Sequence, residues 1–100
     1  MSALPAQLVR RWEAAYQQYT NASEQLRHTT DPAPATAAMA SASWDVAMAW
    51  RDIATSAPLP WWSLAAVRAA ADAFEAQAHD WHAKSTAIKP NGGARKQAWP

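Results

Sequence analysis

The sequence predicts an all-α fold: an antiparallel, up-down-up three-helix bundle followed by a disordered C-terminal tail. Three observations lead there. Half of the 100 residues are hydrophobic, and much of that half is alanine, the best helix former. The larger apolar side chains recur at alternating steps of three and four, the spacing that keeps one stripe of a helix against a neighbour. Both glycines, Gly92 and Gly93, lie near the C-terminus, and the prolines gather near the ends of the periodic stretches, so no segment reads as a strand.

The first helix is expected over about 4–28. Its stripe is Leu8, Trp12, Ala15, Tyr19, Ala22 and Leu26, with Leu4 extending it and Tyr16 on its flank. Ser2 suits an N-cap and Pro5 a first-turn position, while Arg27 and His28 complement the negative end of the helix dipole.

A second helix is expected over about 32–56. Asp31 followed by Pro32 reads as an N-cap and first helical residue, and Pro34 still falls in the first turn, where a missing N–H costs little. The stripe is Met39, Ala42, Val46, Ala49 or Trp50, and Ile53. The link through Thr29 and Thr30 is so short that these two helices must be antiparallel neighbours.

The third helix is expected over about 61–88, with Leu64, Val67, Ala71, Phe74, Ala78, Trp81 and Ser85 as its stripe. It enters either with Pro60 at its first position or, as preferred on sequence grounds, with Ser63 as N-cap and Trp62 stapled onto Val67. Arg68 with Asp72, and Asp80 with Lys84, stand one turn apart. Residues 1–88 thus form one bundle domain, and 89–100 a flexible basic tail in which Pro, Gly, Lys and Arg surround a lone Trp99.

Composition limits the function classes. Nine basic against eight acidic residues leave a net charge of +1, far from the strongly basic footprint of nonspecific nucleic-acid binding. Without cysteine there is no disulfide framework, thiolate nucleophile or cysteine-bound zinc. No apolar run approaches the roughly 20 residues that span a bilayer, and no signal-peptide pattern opens the chain. The expectation is a cytoplasmic protein with no membrane segment.

No motif points to catalysis. Glu75, His79 and His82 share one side of the third helix at i, i+4 and i+7, a spacing that could hold a divalent metal. A helix-surface Glu–His pair with a dipole-favoured His82 accounts for them better. Ser63 is explained as a cap, and no glycine-rich phosphate loop is present. The protein is therefore expected to be no enzyme and to use no cofactor, metal or small-molecule substrate.

The expectation of a protein partner comes from apolar surface left over. Taking about 100° per residue, Trp44 and Met48 project nearly opposite the main stripe of the second helix. Ala65, Ala69, Ala73 and Ala76 hold the back of the third helix, where charge is usual and small residues let another helix come close. The predicted partner-binding residues are Trp44, Met48, Arg51 and Trp99, in a helical interaction module that binds another protein or itself. A small accessory protein of a high-GC phage or mobile element would suit the composition. The alternative is a small DNA-binding regulator using Arg10, Arg11, Arg95 and Lys96, although alanines stand where a recognition helix would carry base-reading side chains.

In length, alanine-rich helices and lack of cysteine the chain resembles the small helical-hairpin secreted proteins of actinobacteria. Their signature is Trp-x-Gly in the turn between two helices. The turns here read Thr29-Thr30-Asp31-Pro32 and Pro58-Leu59-Pro60-Trp61, so the chain is not placed among them.

Overall fold

A computed structural model describes residues 4–88. They form three helices, α1 (Ala6–His28), α2 (Pro32–Ser56) and α3 (Trp61–Ile88), and no strand occurs among the described residues. Contacts between α1 and α2 and between α2 and α3 build the expected antiparallel bundle. The first three residues, with the Ser2 cap, and the tail with Trp99, Arg95 and Lys96 lie outside the described residues.

The helix ends follow the proline chemistry more than the side-chain caps. Pro5 stands extended just before α1, and its carbonyl accepts the N–H groups of Leu8 and Val9 at 3.0 and 3.3 Å. Asp31 precedes α2 without a side-chain cap bond. A cap can bond the N–H of the second or third helical residue; the third is Pro34, which has none, so only the Ala33 N–H is left to donate to one. Thr29 organises the link instead, its hydroxyl accepting from the Asp31 N–H at 3.0 Å.

The preferred entrance of α3 is corrected. The helix starts at Trp61, and the Pro60 carbonyl accepts the Leu64 N–H at 2.9 Å. Ser63 therefore sits inside the first turn instead of capping it, and Trp62 is exposed instead of stapled to Val67. Proline has a preset φ and needs no N–H partner, so with Pro60 just ahead of it the helix starts at Trp61 and gains most of a turn at little cost.

Every residue of the three predicted stripes whose burial is known is buried or half-buried. Between α1 and α2 they make two clusters. One is Ala15, Val46 and Ala49 with Trp12, Tyr16, Tyr19, Trp50 and Phe74 around them; the other is Ala22, Met39 and Ala42 with Tyr19, Leu26 and Trp81.

The middle helix is buried on more than its stripe. Thr36, Ala40, Ser43 and Ala47 are also buried, Ser43 and Ala47 completely. They lie about 60–120° round from Val46, on the flank that faces α3. Across from them α3 buries Ala71 and Ala78 completely. Small side chains on both helices let the backbones approach closely, and no charged residue interrupts α2 before Asp45.

The third side of the bundle is built differently. No Cα of α1 lies within 8 Å of one in α3, and large rings fill the gap. Phe74 packs edge-on against Tyr16 and Tyr19, with ring centroids 5.7 and 5.4 Å away. On the neighbouring α1–α2 side, Trp12 meets Trp50 of α2 at 5.4 Å, also edge-on. Such pairs contribute roughly 0.5–1.5 kcal/mol each beyond their buried area, so α1 and α3 are joined through aromatic rings.

Candidate functional site

Trp44 lies where α2 passes the flank of α3. It is half-buried, and its ring stands edge-on to His79 with centroids 6.3 Å apart. Met48, one turn on, is also half-buried. The two share the outer half of α2, as their spacing predicts, with Trp44 leaning onto the neighbouring helix.

Arg51 has an internal role. Its guanidinium spans from α2 to α3, donating to Asp72 at 3.0 Å and to Glu75. Those two hydrogen bonds, Glu75 first and Asp72 second, raise the arginine above its already high ordinary pKa. The sequence-predicted pairing of Arg68 with Asp72 competes with this bond, and Arg51 has taken the carboxylate. Lys84 in turn holds its ammonium 4.7 Å from the Trp81 ring centroid, a cation–π contact over an aromatic that closes one end of the core.

Of the arginines in the nucleic-acid alternative, Arg11 forms an ion pair with Asp52 on α2 and Arg10 is exposed. The pairing of Arg11 fastens α1 to α2. Glu75 and His79 are drawn to different partners: Glu75 binds Arg51, and His79 meets Trp44. Among the described residues, no three His, Cys, Asp or Glu side chains converge in a metal-binding group, and no helix is long and apolar enough to cross a membrane.

Among the described residues, the large hydrophobics that stand free are Trp61 and Trp62, 80% and 63% exposed. Sequence reasoning placed them at the entrance of α3 and gave them no site role. The signal was available: Pro58-Leu59-Pro60 holds the start of α3 at the end of the bundle, beyond the reach of the α1 and α2 stripes.

Behind Trp62 the outer side of α3 is exposed at Ala65, Ala66, Ala69, Ala73, Ala76, Ala83 and Ala87. Trp62, Ala66, Ala69, Ala73, Ala76, Asp80, Ala83 and Ala87 follow steps of four and three throughout, the spacing of a second helix-packing seam. His79, with Trp44 against it, and Asp72 border this seam along the α2 side.

Two shallow hollows lie on the opposite side of the bundle, between α1 and α2. One of about 290 Å³ is floored by Ala22, Ala38 and Ala42 and rimmed by Gln18, Asn21, Gln25, Ser41 and Asp45. The other, about 300 Å³, adjoins it at Gln18 and Asp45. Their rims carry amides, the Ser41 hydroxyl, the Asp45 carboxylate and the Arg11 guanidinium, with no histidine among them.

Comparison with known proteins returned no match: no family model, no curated protein and no solved structure is significantly similar to this chain.

Proposed function

We propose that this protein is a non-enzymatic helical interaction module which receives a partner helix, from another protein or a second copy of itself, along the outer face of α3. The observation that carries this reading is the exposed 4-3 seam from Trp62 to Ala87. Alanine along such a seam permits the close approach that α2 makes on the inner side of the same helix. Trp62 contributes an aromatic anchor, the residue class that dominates binding hot spots.

Among the residues expected from sequence, Trp44 borders this face through His79 and stays part of the proposal. Met48 lies further round α2, and Arg51 serves the bundle by holding α3. A rigid platform of this kind costs little conformational entropy on binding.

The experiment is the double substitution Ala69→Glu with Ala76→Glu. Glutamate keeps the helix but places charge in the middle of the seam. Light scattering after gel filtration, together with crosslinked partner capture, is expected to show the complexes of the wild-type chain lost while circular dichroism is unchanged. Retention of every wild-type complex by the double variant would end the reading.

A further inference from the structure

The end of the bundle that carries Trp61 and Trp62 has an unusual charge distribution. Antiparallel packing brings together the start of α1, the end of α2 and the start of α3 here, as the Arg11–Asp52 pair confirms. From Leu4 to Trp12 and from Ile53 to Ala71, the charged side chains are Arg10, Arg11 and Arg68, and there is no carboxylate. Arg11 is neutralised by Asp52 just above; Arg10 and Arg68 are exposed.

The backbone adds to this. Two of the three helices present their N-termini at this end, and neither α1 nor α3 has an acidic residue in its first turn. Their positive dipole ends are not offset by acidic side chains, and the two outweigh the single negative end of α2, which has no basic residue in its last turn. The opposite end is mixed, with Glu24, Arg27, His28 and Asp31 beside Asp80 and Lys84.

The apolar part of this end is exposed. Trp61 and Trp62 project from it at 80% and 63% exposure, over half-buried Leu4, Leu8, Leu59 and Leu64. Pro58 and Pro60 restrict the link, so the indoles are presented by stiff backbone. Each indole can bury about 150–250 Å², and a pair falls short of the roughly 800 Å² per partner of a stable protein interface. A projecting tip of that size suits a soft apolar phase better than a preformed protein pocket.

We infer that this end of the bundle is a peripheral docking tip for an anionic phospholipid surface, with Trp61 and Trp62 inserted at the headgroup level and Arg10 and Arg68 facing the phosphates. Tryptophan favours the membrane–water interface because its ring is apolar and its N–H is polar. Arginine near an anionic surface strengthens binding by roughly fivefold per residue. The tip shares Trp62 with the proposed helix-docking seam, but Trp61, Arg10 and Arg68 lie off that seam and the lipid inference does not depend on it.

The test is flotation of the full chain with phosphatidylglycerol vesicles and with phosphatidylcholine vesicles. Binding is expected to phosphatidylglycerol, weakened by added salt, and to be much poorer on phosphatidylcholine. Trp61→Ser with Trp62→Ser should reduce it at least tenfold while helicity is retained, since both side chains are exposed. Arg10→Gln with Arg68→Gln should remove the preference for the anionic lipid. Ala69→Glu with Ala76→Glu should leave flotation unchanged even where it abolishes protein complexes.

Failure of the wild-type chain to float with phosphatidylglycerol overturns the inference. So does equal flotation of the tryptophan double variant, which would locate lipid binding elsewhere in the chain. If the tryptophan double variant abolishes self-association in a chain that ignores vesicles, and Ala69→Glu with Ala76→Glu does not, the occupant of the tip is a second copy and not a membrane.

Discussion

Tyr19 on α1 donates its phenolic hydroxyl to Oε1 of Gln77 on α3 at 3.0 Å, linking two helices whose backbones stay apart. Its ring packs on Phe74 in the same gap. Tyr19→Phe keeps the ring and removes the hydrogen bond, so it should cost about 1 kcal/mol in urea unfolding. Phe74→Ala takes away the ring that both tyrosines meet and should cost about 3 kcal/mol. Equal costs for the two variants would mean that packing of the rings does not hold α1 to α3.

Ala71 and Ala73 occupy opposite sides of α3, one completely buried and the other exposed. Leucine at 71 must push α2 away from α3, and overpacking of this kind costs about 1–3 kcal/mol. Leucine at 73 should stay within about 0.5 kcal/mol. Thermal melts of the two variants check the difference, and a tolerant position 71 would show that the α2–α3 seam is not closely packed.

Ser43 is completely buried, and its hydroxyl has no hydrogen-bond partner. Ser43→Ala removes the unsatisfied group and is a better helix former, so it should raise stability by up to about 1 kcal/mol. A loss of stability would reveal that the hydroxyl bonds in solution. The indole N–H groups of Trp12 and Trp50 are buried without partners in the same way, but replacing either ring would also sacrifice its packing.

Arg51 joins α2 to α3 at a site where its side chain is 37% exposed. Solvent screening reduces what such a contact contributes, so Arg51→Met should cost under about 1 kcal/mol, with the difference shrinking in high salt. Glu75 and Asp72 raise the arginine pKa above its unfolded value. The linked stability is therefore fully present below the ordinary arginine pKa and is lost only as pH rises through the higher folded value. Denaturation curves of the wild-type chain and the variant should accordingly keep a constant separation through neutral pH, as far as titration of Arg51 itself is concerned.

The candidate surface was legible in part. The outward alanines of α3 stand out in the sequence because a solvent-facing stripe normally carries charge. Trp44 also stands out by its angle, but not its contact with His79, which needs α2 and α3 side by side. Arg51 looked available because its carboxylate partners are 21 and 24 residues away along the chain. The free standing of Trp61 and Trp62 was masked by Ser63, whose cap propensity suggested a later helix start than the one Pro60 provides.

The number of helices, their direction and their inward stripes were determined by the sequence alone, because a 4-3 apolar repeat bounded by prolines permits one helical solution and short links enforce antiparallel order. The position of α2 as the close-packed centre was decided by tertiary structure. Alanine, serine and threonine carry too little hydrophobic signal to mark a face by themselves, and Ala40, Ser43 and Ala47 became interior only when α3 laid Ala71 and Ala78 nearby. The same small side chains on the outer side of α3 remained exposed, since the described residues hold no fourth helix to cover them.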